Sequence, residues 1–271
     1  MKPQSQEISP DPDIGFQQLL GALCKDVETA IQHVSVSPSD TFSHMCLLYV
    51  VRQLHHAQSL LALGAYPDGA LILRSMLEGW CQLTWALEAP DARALRWQAY
   101  VGVTNWRLAK QRRAGGLTAS DDELKGMEAA LAEHADMFMS KKVLGRKAAG
   151  QDVPEDPYCE NWTGLKVRDL FYATNAAVHH QWTYRILSDW HHWAPHTILR
   201  SVVVNGATFT YAPQLPGATA ATFMSACQMV LEVAQIADGQ LKLGVASLLT
   251  AHEAAVIAYG NAHRPPRNPS P

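Results

Sequence analysis

Apolar residues recur at intervals of three and four positions along most of this chain. This spacing places them on one face of an α-helix. The segments with this pattern span about residues 13–34, 69–88, 91–113, 119–140, 165–192, 219–244 and 245–259, with a further helix that is capped within 37–40 and ends at Gly64. The sequence therefore predicts an all-α fold, a bundle of seven or eight helices.

Two segments depart from the helical pattern. Residues 201–211 carry β-branched and aromatic side chains on both sides of Asn205-Gly206, a dipeptide that favours a tight hairpin turn. A lone two-stranded ribbon is only marginally stable, so this small hairpin is expected to pack against helices. Residues 141–160 are rich in Lys, Gly, Pro and Asp, a composition that predicts a long surface loop.

The length and apolar content of the chain favour one domain. With 271 residues, of which 48% are hydrophobic, it can bury one large core. We expect a flexible N-terminus over residues 1–12, a single helical domain over 13–260 and a disordered tail over 261–271.

The net charge and the cysteine content limit which partners and which cellular compartment we expect for this protein. A net charge of −3 argues against a surface that binds nucleic acid or anionic lipid as a whole, although a local patch could still bind RNA. Five scattered cysteines without a CxxC pair indicate neither a disulfide framework nor a zinc knuckle. The sequence also lacks an apolar run of about 18 residues. We expect a cytoplasmic protein with no membrane partner.

Polar side chains form a ladder on the predicted helix over residues 165–192. Positions four apart lie on one helical face, so His180, Tyr184, Ser188 and His192 are expected to line up. Each such group costs about 1–3 kcal/mol if it is buried without a hydrogen-bond partner. The ladder therefore either holds helices together or forms a site.

The predicted helix over residues 69–88 is apolar nearly all round, yet it carries Arg74 and Glu78 one turn apart. A buried charge needs a partner, so we expect this helix to contact the 165–192 helix through those side chains. The preceding helix adds polar residues on one face, among them Arg52 and His56. The candidate binding network comprises Arg74, Glu78, Tyr184, Ser188, His192, Arg52 and His56.

Two short segments resemble the signatures of a widespread bacterial all-helical family of unknown function. Residues 70–78 fit A-x-x-x-R-S-x-x-E, and residues 184–192 fit Y-R-x-L-S-x-x-x-H. The resemblance covers about residues 45–245 and implies an α-helical bundle with no established activity. It also implies a module that contacts an unknown small ligand or a protein partner in a bacterial stress or defence setting.

A nuclease is one alternative function. Arg185 and His192 fit the R-x4-6-H spacing of helical RNases from toxin–antitoxin and phage-defence systems. A guanidinium can hold the scissile phosphate, and an imidazole with a pKa of about 6.5 can move the 2′-hydroxyl proton without a metal. The competing structural interpretation pairs Arg185 with Asp189 across one turn and makes His192 an ordinary hydrogen-bonded residue.

A metal site is the second alternative. Side chains from three predicted helices could supply ligands, as in metal-binding helical bundles: His55, His56, Glu78, His180 and His192. The chain has no HExxH motif and no repeated ExxH motif, so no metal or other cofactor is predicted. Self-association as a homodimer is left open.

Overall fold

The computed structural model describes residues 8–64, 68–116, 120–191, 202–205, 208–211 and 218–263. Its α-helices within these ranges are α1 (Pro12–Ile31), α2 (Thr41–Leu63), α3 (Gly69–Ala86), α4 (Pro90–Ala114), α5 (Asp121–Leu131), α6 (Lys141–Ala148), α7 (Val167–Ala173), α8 (Ala177–His179), α9 (Arg185–His191), α10 (Ala218–Leu241) and α11 (Ala246–Ala262). A 3-10 helix spans Ala135–Phe138, and a π-helix spans His180–Tyr184. The all-α prediction is confirmed, but the described helices outnumber the predicted seven or eight.

Some of the extra helices arise where the backbone interrupts a segment that the apolar pattern predicted as one long helix. The predicted helix over residues 165–192 stops at Ala173, because Asn175 adopts a left-handed conformation with a φ of 57°. The chain then forms α8, the π-helix and α9. A further helix, α6, replaces the first part of the predicted 141–160 loop. Ser140 caps that helix by accepting a hydrogen bond from the Val143 N–H group.

Two short strands lie within the predicted hairpin segment. β1 (Val202–Asn205) and β2 (Thr208–Tyr211) pair antiparallel, with Val202 opposite Tyr211 and Asn205 opposite Thr208. The two positions between the strands lie outside the described residues. This register is the one that a two-residue connection requires.

Backbone contacts divide the chain into two compact units. The first unit comprises residues 1–84 and 174–271, and the second comprises residues 85–173. The single-domain boundaries expected from the sequence stay a prediction.

The core of the first unit forms where α10 packs against α1, α2 and α11. Large side chains that are fully buried in this unit include Leu20, Leu23, Met45, Leu60, Leu73, Met76, Leu77, Phe223 and Met229. Burying a side chain of this size stabilises the fold by about 1.5–3 kcal/mol. The third helix contributes to this core but is not buried all round, since Leu71 is 42% exposed.

The helix α10 is long and apolar enough to cross a membrane by length and composition alone. In the structure, 61% of its most apolar window is buried inside the protein, as expected for a core helix. Cytoplasmic localisation stays a prediction.

The second unit is built on α4. Its core contains Val103, Trp106, Leu124, Leu131 and Phe138. Arg107 of α4 binds the segment before α7. Its guanidinium donates hydrogen bonds to both carboxylate oxygens of Asp156, at 2.7 and 3.1 Å. The same guanidinium also donates to the Tyr100 hydroxyl and to the main-chain carbonyl of Cys159.

Candidate functional site

The candidate site begins with two charged residues on α3. Arg74 and Glu78 lie one turn apart, and Arg74 Nε is 3.4 Å from Glu78 Oε1. Their side chains are 22% and 30% exposed, so neither charge is fully withdrawn from water. An ion pair this exposed contributes about 0–1 kcal/mol, less than the sequence-based argument for a buried pair assumed.

Tyr184 joins these two charges through its hydroxyl group. The hydroxyl accepts a hydrogen bond from Arg74 Nη2 at 2.8 Å and donates one to Glu78 Oε1 at 2.6 Å. The Arg74 guanidinium carbon also lies 5.0 Å from the centre of the tyrosine ring. We refer to these three residues as the Arg74–Glu78–Tyr184 cluster.

Tyr184 reaches the cluster from the end of the π-helix His180–Tyr184. A π-helix closes its hydrogen bonds over five residues rather than four, and isolated π turns inside α-helices occur frequently at functional sites. His180, the first residue of this turn, stacks on Tyr184 with ring centres 5.6 Å apart and an interplanar angle of 15°. Helical periodicity alone gave no signal for this π turn.

A second contact joins the same two elements. The ring of His179 lies edge-on to Trp80 of α3, with ring centres 5.3 Å apart. The predicted contact between the segments 69–88 and 165–192 is therefore confirmed at Arg74, Glu78 and Trp80.

The surroundings of Tyr184 keep its phenol protonated. Burial, together with the neighbouring Glu78 carboxylate, raises the pKa of Tyr184 to about 12, although Arg74 acts in the opposite direction. At neutral pH the hydroxyl therefore donates a hydrogen bond and does not act as a base. The cluster presents a guanidinium, a neutral phenol and a carboxylate side by side.

The remaining predicted residues of this segment lie on α9 or after it. Ser188 is half-buried on α9, Arg185 is exposed at the start of that helix, and His192 lies outside the described residues. The predicted Arg185–His192 nuclease pair therefore stays a prediction. The same holds for the roles assigned to Ser188 and His192 in the network.

The helix α2 contacts α3 at Gln53, whose buried side chain donates to the main-chain carbonyl of Met76 at 2.8 Å. Arg52 and His55 are exposed on this helix, whereas His56 is half-buried. Burial, followed by the positive charges of Arg52 and His55, lowers the pKa of His56. Neutral imidazole is thereby favoured at that position.

A metal site in a helical bundle needs several ligating side chains close together. Within the described part of the chain, no group of three or more His, Cys, Asp and Glu side chains is arranged to hold a metal ion. Of the ligands considered from the sequence, His192 lies outside the described ranges. The metal alternative is not supported by the described part and stays a prediction for the rest.

Comparison with known proteins places the cluster within a family. No curated protein sequence and no solved structure matches the chain. A family model described as "Family of unknown function (DUF5677)" matches residues 41–208, which is more than half of the chain. The match begins with α2 and includes the whole Arg74–Glu78–Tyr184 cluster. The chain belongs to this DUF5677 family of unknown function.

Proposed function

We propose that this protein is a binding module and that the Arg74–Glu78–Tyr184 cluster is its ligand site. One observation carries the proposal: the Tyr184 hydroxyl bonds to both charged residues from the end of a π turn, while both charges stay partly exposed. Single π turns are rare in proteins and occur frequently at functional sites.

The chemistry of the cluster defines the class of ligand. The Arg74 guanidinium is a donor in a planar fork, and the Glu78 carboxylate only accepts hydrogen bonds when ionised. A small polar ligand that carries an acceptor and a donor close together complements this pair. Nucleosides and amino acids both have this property.

The proposed setting and partner rest on the motif resemblance, and the proposed compartment rests on the composition of the chain. We infer that the module acts in the cytoplasm of a bacterium under stress or during defence, with a small ligand or a protein as its partner. Tyr184 is proposed as a binding residue and not as a general base, because its raised pKa disfavours the phenolate.

Ligand binding is tested by thermal unfolding in the presence of a compound panel. The panel contains nucleosides, nucleotides and the common amino acids at millimolar concentration. Saturation at about 100 times the dissociation constant stabilises a protein by about 2.7 kcal/mol, which is easily measured. We expect at least one class of compound to raise the melting temperature of the wild type and to lose this effect in Arg74→Lys and Tyr184→Phe.

The matched control is Tyr158→Phe, which removes a phenolic hydroxyl from a partly buried tyrosine in the second unit. This control should keep the response of the wild type. A panel that leaves the wild type unchanged, or a response that survives in Tyr184→Phe, contradicts the proposal.

The nuclease alternative is tested in living cells. Expression of the wild type, Arg185→Ala and His192→Ala in a bacterium is followed by growth and by the integrity of total RNA. Growth arrest with RNA loss that disappears in both variants would replace the binding proposal with a nuclease. Equal growth of all three strains, with intact RNA, agrees with binding.

A further inference from the structure

A groove lies between α1, α10 and α11 in the first unit. Its volume is about 780 Å³, within the range of about 300–1,000 Å³ that is typical of small-molecule sites. The three helices lie outside residues 41–208, the span that the family model matches. The groove is therefore a feature of this chain separate from the cluster on α3.

The walls of the groove are apolar. They include Phe16 from α1, Met224 and Leu231 from α10, and Val256 and Ile257 from α11. Met224 is 41% exposed and Ile257 is 56% exposed, so part of this apolar surface faces solvent. An aliphatic chain bound along the groove would remove that surface from water.

The polar lining of the groove is acidic. Glu232 and Glu253 supply two carboxylates, and the described lining residues include neither lysine nor arginine. Gln228 donates a hydrogen bond to Glu232 at 3.0 Å without neutralising it. Among the described lining residues, the groove thus combines apolar walls with two carboxylates and no lysine or arginine beside them.

The imidazole of His263, also in the lining, faces main-chain carbonyl groups. Its two ring nitrogens lie 2.9 Å from the Tyr259 carbonyl oxygen and 3.0 Å from the Pro10 carbonyl oxygen. Main-chain carbonyl groups therefore engage both ring nitrogens of His263. Glu232 and Glu253 are the carboxylates of the lining that are available to a ligand cation.

We propose that this groove binds an amphipathic organic cation, with its aliphatic chain against the apolar walls and its ammonium group beside Glu232 and Glu253. The charge complementarity sets the order of affinity among ligands of equal chain length. An alkylammonium ion gains the ion pairs, an alcohol lacks them, and a carboxylate meets repulsion. This site goes beyond the binding module proposed on α3.

The first experiment compares three probes that share one chain length. Binding of decylamine, decanol and decanoate to the full chain is measured by isothermal titration calorimetry below their micelle concentrations. Two partly exposed ion pairs correspond to about a tenfold difference in affinity, so decylamine should bind about tenfold more tightly than decanol. Decanoate that binds as tightly as decylamine, or no measurable binding of decylamine, would overturn the proposal.

The second experiment fills the groove from Gly260. A Cβ atom at this position would lie 3.7 Å from Phe16 Cζ and 3.8 Å from Met224 Sδ, so a larger side chain would occupy the ligand space. Gly260→Leu should abolish decylamine binding. Gly239→Leu is the matched control, because Gly239 lies on α10 and a Cβ there meets no atom within 4 Å. Equal decylamine binding by both variants contradicts the proposal.

A third variant decides the question if Gly260→Leu fails to fold, as judged by circular dichroism. Glu253→Gln should weaken decylamine binding several-fold and leave decanol binding unchanged, because it removes charge without changing shape. An equal effect on both probes would contradict the proposal. Tyr184→Phe should leave decylamine binding intact, which distinguishes failure of this groove from failure of the cluster on α3.

Discussion

The hydroxyl group of Tyr184 links the Arg74 guanidinium to the Glu78 carboxylate. These two residues lie on one helix, with Arg74 Nε 3.4 Å from Glu78 Oε1. The phenol oxygen accepts the hydrogen bond from Arg74, and its proton is donated to Glu78. The raised pKa of Tyr184 keeps that proton on the phenol at neutral pH. A guanidinium and a carboxylate that remain partly exposed can still exchange these contacts for contacts with a ligand. At the residue scale, the cluster is therefore suited to recognition.

The pKa of Tyr184 gives the first prediction. In Glu78→Gln the carboxylate charge is lost, so the pKa of Tyr184 should fall from about 12 toward the ordinary value of about 10. Part of the shift should remain, because burial is its largest cause. Ultraviolet titration of tyrosinate absorbance measures the change, with Tyr184→Phe to assign the signal. An unchanged titration curve would show that Glu78 does not act on the phenol.

Among the secondary-structure elements, the site depends on the π-helix, because this element carries Tyr184. Removing one residue from a π turn restores α-helical hydrogen bonding and rotates the residues that follow by about 100° relative to those before. The deletion would carry Tyr184 away from Arg74 and Glu78. The site and the π turn are thus expected to be lost together.

Deletion of Gln181, an exposed residue within the π-helix, tests this dependence. We expect unchanged helical content by circular dichroism, a Tyr184 pKa near about 10, and no response to the ligands of the wild type. The substitution Gln181→Ala keeps the residue count and serves as the control. A deletion variant that retains the raised pKa would contradict the dependence.

The sequence predicted some elements closely because their ends carry local chemical signals. Asp40 caps α2 by accepting from the Ser43 N–H group, and Gly64 ends it with a φ of 74°. Both residues are typical of such positions: Asp40 lies within the stretch 37–40 where the cap was expected, and the predicted end of α2 at Gly64 is confirmed. The contact between α3 and the Tyr184 segment also followed from the sequence, since polar groups on apolar faces need partners.

The breaks within the predicted helices, the exposure of the site residues and the groove could not be predicted from the sequence. Apolar periodicity is an average over several helical turns, so it does not report changes at single residues. Two local features change the direction in which later side chains point: the left-handed Asn175 and the five-residue π turn. Each acts at a single position, so the apolar pattern of the sequence carries no sign of it. The exposed fractions of the Arg74 and Glu78 side chains depend on the neighbouring helices. The sequence of one helix does not predict them. The groove has the same origin, since α1, near the start of the sequence, forms its walls together with the much later helices α10 and α11.

At the scale of the whole molecule, buried thiols make stability depend on alkaline pH. Burial raises the pKa of Cys24, Cys46 and Cys81 to about 12, and it also raises the pKa of Cys227. An unfolded cysteine has a pKa of about 8.5, so the folded state binds more protons than the unfolded state above that pH. The stability that these thiols contribute is complete below about pH 8.5 and is lost as the pH rises toward about 12.

The free energy of unfolding should therefore decrease steadily above about pH 8.5. Urea unfolding at a series of pH values measures this decrease under reducing conditions. The double variant Cys24→Ala with Cys227→Ala provides the comparison and should show a shallower decrease, even if its stability at neutral pH is lower. A slope that is identical in the two proteins would contradict the assignment to these thiols.

The most direct test of the central claim is the melting temperature of Glu78→Gln beside that of Asp40→Ala. Asp40 is a structural cap of α2 in the same unit, and losing such a cap costs about 1 kcal/mol. That loss should lower the melting temperature by about 2–4 °C in a protein of this size. Glutamine at position 78 can still accept the Tyr184 hydrogen bond, and the ion pair it removes is partly exposed. If the cluster is a binding site, Glu78→Gln should melt at or above the wild-type temperature while losing the ligand response. A decrease as large as that of Asp40→Ala would show that the cluster is scaffold and would contradict the account.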